Sequence, residues 1–155
     1  MSRSRPKWRC ILILLKIVIA GGQDPYNVYC WNLKTGNLID VITGHEGPVS
    51  CLSYSPVEDV FVSGSWDRNV RVHNVLGKKA RADTLPHSDK ILDVKFRPDG
   101  KELCVSTFRG ELYFWDLESD SIKGLIDGAR DLKAGRGQED HQAAKNQVNN
   151  KNFRT

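Results

Sequence analysis

The sequence has few features of a secreted, metal-binding or membrane-spanning protein. Its four cysteines, Cys10, Cys30, Cys51 and Cys104, form no Cys-x-x-Cys pair and no metal-ligand spacing, which argues against a zinc site or a disulfide framework. Three of them lie in apolar runs, so we interpret the cysteines as small buried hydrophobic residues in a reducing compartment.

Long hydrophobic runs are also missing. Four basic residues precede the apolar run 10–15, in the order typical of a signal peptide: Arg3, Arg5, Lys7 and Arg9. Lys16 interrupts the hydrophobic stretch, which is too short to span a bilayer. The alternative is a pair of short β-strands, and the internal repeat described below favours it. We expect no membrane association.

Composition and charge are those of an ordinary soluble domain. The 155 residues are 39% hydrophobic and 27% charged, with a net charge of +4. This mild basic bias permits an acidic or nucleic-acid neighbour but does not require one.

The sequence repeats itself with a fixed period. A copy of the sequence that is shifted by the distance from Trp31 to His73 matches the original at many positions. The same shift carries His73 onto Trp115 and Gly22 onto Gly64. Other pairs coincide as well: His45 with His87, Tyr54 with Phe96, Pro56 with Pro98, and Ser65 with Thr107. The alignment needs no gap between residues 22 and 115. Such a period, about 40–45 residues, is typical of one four-stranded blade of a β-propeller.

Local patterns also predict strands. Residues 69–73 alternate apolar and polar side chains, the period of a half-buried strand. Turn residues separate such stretches at 34–36 and 97–100, where glycine or proline supplies the required backbone angles. No long stretch has helical periodicity, so the sequence predicts an all-β fold.

Three motifs resemble the WD-repeat family. Gly44 and His45 open one repeat, residues 63–67 read Ser-Gly-Ser-Trp-Asp in its middle, and Trp115 with Asp116 close the next repeat. The resemblance implies an all-β, partial WD-repeat β-propeller of about three four-stranded antiparallel blades, followed by a polar, irregular C-terminal tail. We expect three fanned sheets with two open flanks, because closure normally takes four to eight blades.

The resemblance also predicts strand positions. We expect a partial propeller over residues 1–127 and a polar, flexible insertion or tail over 128–155. The predicted blades cover about 9–33 (strands 9–14, 16–20 and 27–33), 37–75 (strands 37–42, 49–54, 60–65 and 69–75) and 81–117 (strands 81–85, 91–96, 102–107 and 111–117), and a further outer strand covers 121–126.

Several polar residues could be mistaken for a catalytic site. His45, Ser65 and Asp67 have the composition of a Ser-His-Asp triad. The family resemblance instead implies a structural hydrogen-bond network within each blade, since buried polar groups must be paired. The implied network residues are His45, Ser65, Asp67 and His73 in one blade and His87, Thr107 and Trp115 in the next.

The networks depart from the family pattern at two positions. His73 replaces a tryptophan, and Arg109 replaces an aspartate, so we expect partial networks. Each histidine could instead bind a metal, but no second ligand lies at metal-binding spacing. We therefore expect no catalytic, cofactor or metal site.

A narrower resemblance is carried by residues 28–50, 65–72 and 96–100 and by the polar stretch 128–153. They resemble a nucleolar WD-repeat family of the UTP-B subcomplex of the small-subunit processome. This implies a non-catalytic scaffold in the nucleolus that supports pre-rRNA processing with other WD-repeat proteins and U3 small nucleolar RNA. The alternative is a generic WD-repeat adaptor, such as a ubiquitin-ligase substrate receptor or signalling scaffold, in which no such insertion is expected.

A candidate partner surface follows from the expected loops on one propeller rim: Glu46, Trp66, Arg68, Lys90 and Arg109. Trp66 beside Arg68 is typical of a binding hot spot, although Trp66 could equally pack on the adjacent blade. The basic stretch after residue 128 lacks core residues. This stretch has two possible interpretations: an arm that contacts RNA, or a solvated linker.

Overall fold

The computed structural model describes residues 8–14, 16–75 and 84–128. These ranges contain twelve β-strands: β1 (Trp8–Ile13), β2 (Ile17–Gly22), β3 (Val28–Asn32), β4 (Leu38–Ile42), β5 (Val49–Tyr54), β6 (Val60–Ser65), β7 (Asn69–Asn74), β8 (Thr84–Pro86), β9 (Ile91–Phe96), β10 (Glu102–Thr107), β11 (Glu111–Asp116) and β12 (Ser121–Asp127). The apolar N-terminal stretch thus forms the β1–β2 hairpin, as the repeat favoured. The predicted tail lies outside the described residues from 129 onward.

The strands form three antiparallel sheets of four strands each, in chain order: β1–β4, β5–β8 and β9–β12. The first and third sheets both pack on the middle one through the inner strands β1, β5 and β9. The predicted all-β architecture of about three four-stranded blades is confirmed.

The predicted assignment of strands to blades is wrong by one strand. Segments 37–42 and 81–85 were expected to open the second and third blades, and 121–126 to begin another. Instead β4 pairs with β3, β8 with β7 and β12 with β11, so each closes the preceding sheet. The reason is local: a tight turn with Gly36 at φ 70° joins β3 to β4, and adjacent strands pair readily across such a turn.

The predicted ungapped alignment of Gly22 with Gly64 is also wrong. Gly21 lies opposite Val28 and Gly64 lies opposite Val70. Six residues therefore separate the first pair along the chain and five separate the second. The turn after β2 holds the extra residue, so Gly21 is the true counterpart of Gly64.

Two apolar layers hold the three sheets together. Ile19, Val28 and Cys30 pack against Val49 and Phe61 between the first and second sheets. A second layer joins residues of the middle and third sheets: Cys51, Val62, Val70, Val72, Leu85, Ile91, Val94, Leu103, Val105, Tyr113 and Trp115. Each large side chain buried there contributes about 1.5–3 kcal/mol.

Gly64 allows the inner strand of the third sheet to approach closely. A Cβ at this position would lie 2.5 Å from Cys51 Sγ and 2.7 Å from Ile91 Cγ2. Gly21 makes the same approach to Cys10 and Val49 one sheet earlier. The glycine and the facing cysteine thus form a recurring contact between neighbouring sheets.

The cysteines behave largely as predicted. Cys30 and Cys51 are buried, Cys10 and Cys104 are half-buried, and all four are free thiols. Burial raises the pKa of Cys10 and Cys30 to about 11 and that of Cys51 to about 12. These thiols are therefore protonated and poorly nucleophilic at neutral pH.

The first sheet carries apolar side chains on the face directed away from the second. Ile11 is 62% exposed and Ile13 is 68% exposed. On the same face Trp8 packs edge-on against Tyr29 and Trp31, with ring centroids 5.1 and 5.2 Å apart. This face is the counterpart of the one that the second sheet buries against the first.

Candidate functional site

Besides the β2–β3 loop of the first sheet, four loops lie at one end of the three sheets. They connect β4 to β5, β6 to β7, β8 to β9 and β10 to β11, and cover residues 43–48, 66–68, 87–90 and 108–110. We call them the loop rim. They share one end because antiparallel strands alternate in direction.

A chain of short hydrogen bonds fixes the rim of the second sheet. His45 Nδ1 lies 2.7 Å from Asp67 Oδ2, and His45 Nε2 lies 2.7 Å from Ser63 Oγ. Ser63 Oγ in turn lies 2.8 Å from His73 Nε2. The chain joins a loop, a turn and two strands, so it positions residues 43–48 relative to 66–68.

Ser65 was predicted in this chain, but Ser63 occupies that place. Ser65 Oγ donates to the Gly47 carbonyl at 2.9 Å and accepts from the Asp67 amide at 3.1 Å. Both serines share one strand face, so alternation could not separate them. The register of β6 against β7 shows which serine is close to His73. Phe61 lies opposite His73, so Ser63 is two residues along β6 from the position opposite His73, whereas Ser65 is four residues from it.

The electrostatics of this chain favour an ionised Asp67 and a neutral His73. Burial would raise the pKa of Asp67, but hydrogen bonds from His45 and from the Asn69 and Glu46 amides together lower it. Burial lowers the pKa of His73 to about 4, helped by the nearby charges of His45 and Arg71.

The same geometry disfavours a catalytic triad. Ser63 and Ser65 are both 0% exposed, so neither hydroxyl can reach a substrate. Each imidazole nitrogen of His45 is already within hydrogen-bond distance of a partner. The arrangement therefore fits a structural network.

The third sheet has a shorter network. Trp115 Nε1 donates to His87 Nε2 at 2.9 Å, and His87 Nδ1 lies 2.9 Å from the Leu85 carbonyl. The indole therefore reaches the imidazole without an intervening hydroxyl. Burial lowers the pKa of His87 to about 4.

The predicted inclusion of Thr107 in this second network is wrong. Its Oγ1 accepts from the Glu111 amide at 3.3 Å and lies 3.5 Å from the Glu111 carbonyl, so it bonds within its own hairpin. Val105 fills the position equivalent to Ser63, because each is the fourth residue of the second strand of its sheet. The expectation of partial networks holds for this sheet.

Four of the predicted partner-binding residues are exposed on the loop rim: Glu46, Arg68, Lys90 and Arg109. Trp66 is half-buried. The Arg9 guanidinium lies 4.1 Å from its ring centroid and Lys90 Nζ lies 4.9 Å from it. Arg9 belongs to β1 and Lys90 to the loop that leads into β9, so the structure favours packing of Trp66 against its neighbours.

The described part of the chain offers neither a metal site nor a helical membrane span. Among residues 8–14, 16–75 and 84–128, no group of three His, Cys, Asp or Glu side chains could hold a metal ion. In those ranges no helix is long and apolar enough to cross a membrane.

Comparison with known proteins agrees with this geometry. The family described as WD domain, G-beta repeat matches residues 36–74 and 81–116. Residues 36–74 and 81–116 are thus WD repeats. Each matched segment begins before the outer strand of one sheet and ends in the third strand of the next sheet. The sequence repeat is therefore offset by one strand from the four-stranded sheet.

Individual relatives narrow the resemblance. The chain is 39% identical to the periodic tryptophan protein 2 homolog of Schizosaccharomyces pombe, over 97% of this chain and 18% of the relative. It is 41% identical to the Mus musculus homolog, over 90% of this chain and 15% of the relative. These relatives confirm the narrower family resemblance found in the sequence. The WD-repeat chain thus spans less than a fifth of each.

A solved structure supports the fold alone. A chain in the crystal structure of a mitotic checkpoint complex superposes with a TM-score of 0.72 at 21% identity, covering 79% of this chain and 38% of that one. A shared fold does not by itself establish a shared function.

Proposed function

We propose that this WD-repeat chain forms part of a non-catalytic scaffold of the small-subunit processome, in the nucleolus. There it supports pre-rRNA processing and small-subunit biogenesis together with other WD-repeat proteins and U3 small nucleolar RNA. The observation that carries the proposal is the similarity to periodic tryptophan protein 2 over nine tenths of the chain.

The loop rim is the surface we assign to protein partners. The His45–Ser63–His73 chain and the His45–Asp67 contact fix two of its loops, 43–48 and 66–68, so little ordering of these two loops is needed when a partner binds. Preorganisation of this kind favours affinity because it reduces the entropy lost on binding. Exposed Arg68 and Arg109 supply charge to select partners.

The proposal is tested in cells by replacing the longer protein that contains this chain. Arg68→Glu combined with Arg109→Glu reverses two exposed charges on the rim. We expect U3 small nucleolar RNA and partner proteins to co-purify several-fold less, and early pre-rRNA precursors to accumulate on northern blots. Lys16→Glu with Lys34→Glu is the matched control, since both lysines are exposed at the opposite end of the first sheet.

The outcomes separate two parts of the proposal. If depletion of the longer protein left early pre-rRNA processing normal, the assignment to the processome would be wrong. If depletion blocked processing but the arginine variant matched the control, the rim would not be the partner surface. Cross-linking of RNA in the same cells decides whether RNA is contacted directly.

A further inference from the structure

A groove lies between the second and third sheets at the end opposite the loop rim. Its volume is about 150 Å³, and its walls come from the β5–β6, β9–β10 and β11–β12 connections. It shares no residue with the loop rim and belongs to neither histidine network.

The floor of the groove is apolar. Val60, Val72, Phe96 and Leu117 line it, and Val57 at its edge is 67% exposed. An apolar cavity of about 150 Å³ is large enough to bind benzene. The groove can therefore hold one side chain of leucine size.

The mouth of the groove carries more negative than positive charge. Glu58, Asp99, Glu118 and Lys101 line it. Asp99 is paired with Arg97 at 3.3 Å, whereas no ion pair is found for Glu58 or Glu118 within the described residues. Two exposed carboxylates beside one ammonium group favour a cationic ligand.

We infer that this groove binds an extended segment of a partner protein that inserts one leucine-sized side chain and carries Lys or Arg beside it. The apolar floor supplies the contact area, and the two carboxylates select the flanking charge. This goes beyond the scaffold role proposed above, because it adds a second binding site on the other end of the sheets.

The test uses the full chain and a labelled peptide, Gly-Arg-X-Arg-Gly, in which X is a diazirine analogue of leucine. After irradiation, mass spectrometry should map most cross-links to residues 55–60, 96–101 and 117–118. Glu58→Lys combined with Glu118→Lys should reduce that yield at least fivefold at low salt. Lys101→Glu should increase it.

Controls separate specific binding from attraction to an exposed apolar surface. Asp40→Lys makes a charge reversal on the outer strand of the first sheet and should leave the yield unchanged. A peptide with Glu in place of both Arg residues should label the groove at least fivefold less. Equal labelling by both peptides, a charge-independent yield, or cross-links concentrated on Ile11 and Ile13 would overturn the inference.

Discussion

The pH dependence of stability tests whether His73 is held neutral inside the second sheet. Its pKa is lowered from 6.5 to about 4 by burial, so the unfolded chain binds a proton more readily than the folded one. Stability from this group is therefore present above pH 6.5 and is lost as the pH falls toward 4.

Linkage gives the size of the effect. Between pH 7.5 and 5.5, a shift from 6.5 to about 4 costs roughly 1.3 kcal/mol of unfolding free energy. His87, with its pKa also near 4, should add a pH-dependent contribution of similar size in both the parent chain and the His73→Gln variant. His73→Gln removes the titrating ring while keeping a donor for Ser63, so its stability should vary less with pH by about 1.3 kcal/mol.

Urea unfolding followed by tryptophan fluorescence at both pH values measures this difference. The quantity compared is the change in unfolding free energy between pH 7.5 and pH 5.5 within each variant. This comparison cancels the pH-independent cost of the substitution itself. If the variant lost as much stability as the parent chain on acidification, His73 would not be the titrating group. A parent chain equally stable at both pH values would refute the reasoning altogether.

Three other substitutions test the packing. Ser63→Ala should cost about 2–4 kcal/mol in urea unfolding, because it leaves two imidazole nitrogens without their shared partner; a loss below about 0.5 kcal/mol would contradict the network. Gly64→Ala should destabilise by about 1–3 kcal/mol through overlap with Cys51, and adding Cys51→Ala should recover part of that loss. The exposed apolar face of the first sheet should make the purified chain associate, so Ile11→Lys with Ile13→Lys should shift its sedimentation toward monomer; an unchanged distribution would place the association elsewhere.

The strands were predictable because each carries its own signals. Alternation at 69–73 and the turns at 34–36 and 97–100 place β7 and two hairpins close to their observed bounds. The period alone could not predict the sheet to which β4 belongs. One full period contains four strands whichever strand is taken as the first, so the period does not show where one sheet ends and the next begins. Hairpin pairing, a three-dimensional contact, decides that question.

The candidate site was predicted less completely. His45 and Asp67 could be paired from the motif, but choosing between Ser63 and Ser65 required the register of β6 against β7. Trp66 is a similar case, since its surroundings come from Arg9 and Lys90 on neighbouring sheets. Neither neighbour is close to residue 66 in sequence, so no local pattern could indicate that packing.

The offset between repeat and sheet bears on how such a chain can grow or shrink. Because β4 closes the sheet begun by β1, and β8 closes the one begun by β5, a recombination event that adds or removes one full period restores four strands to every sheet wherever the breakpoint falls. Gene duplication therefore needs no alignment with the structural boundary. An insertion or deletion that removed part of a period would leave one sheet short of an edge strand, and selection against that defect would keep the period constant.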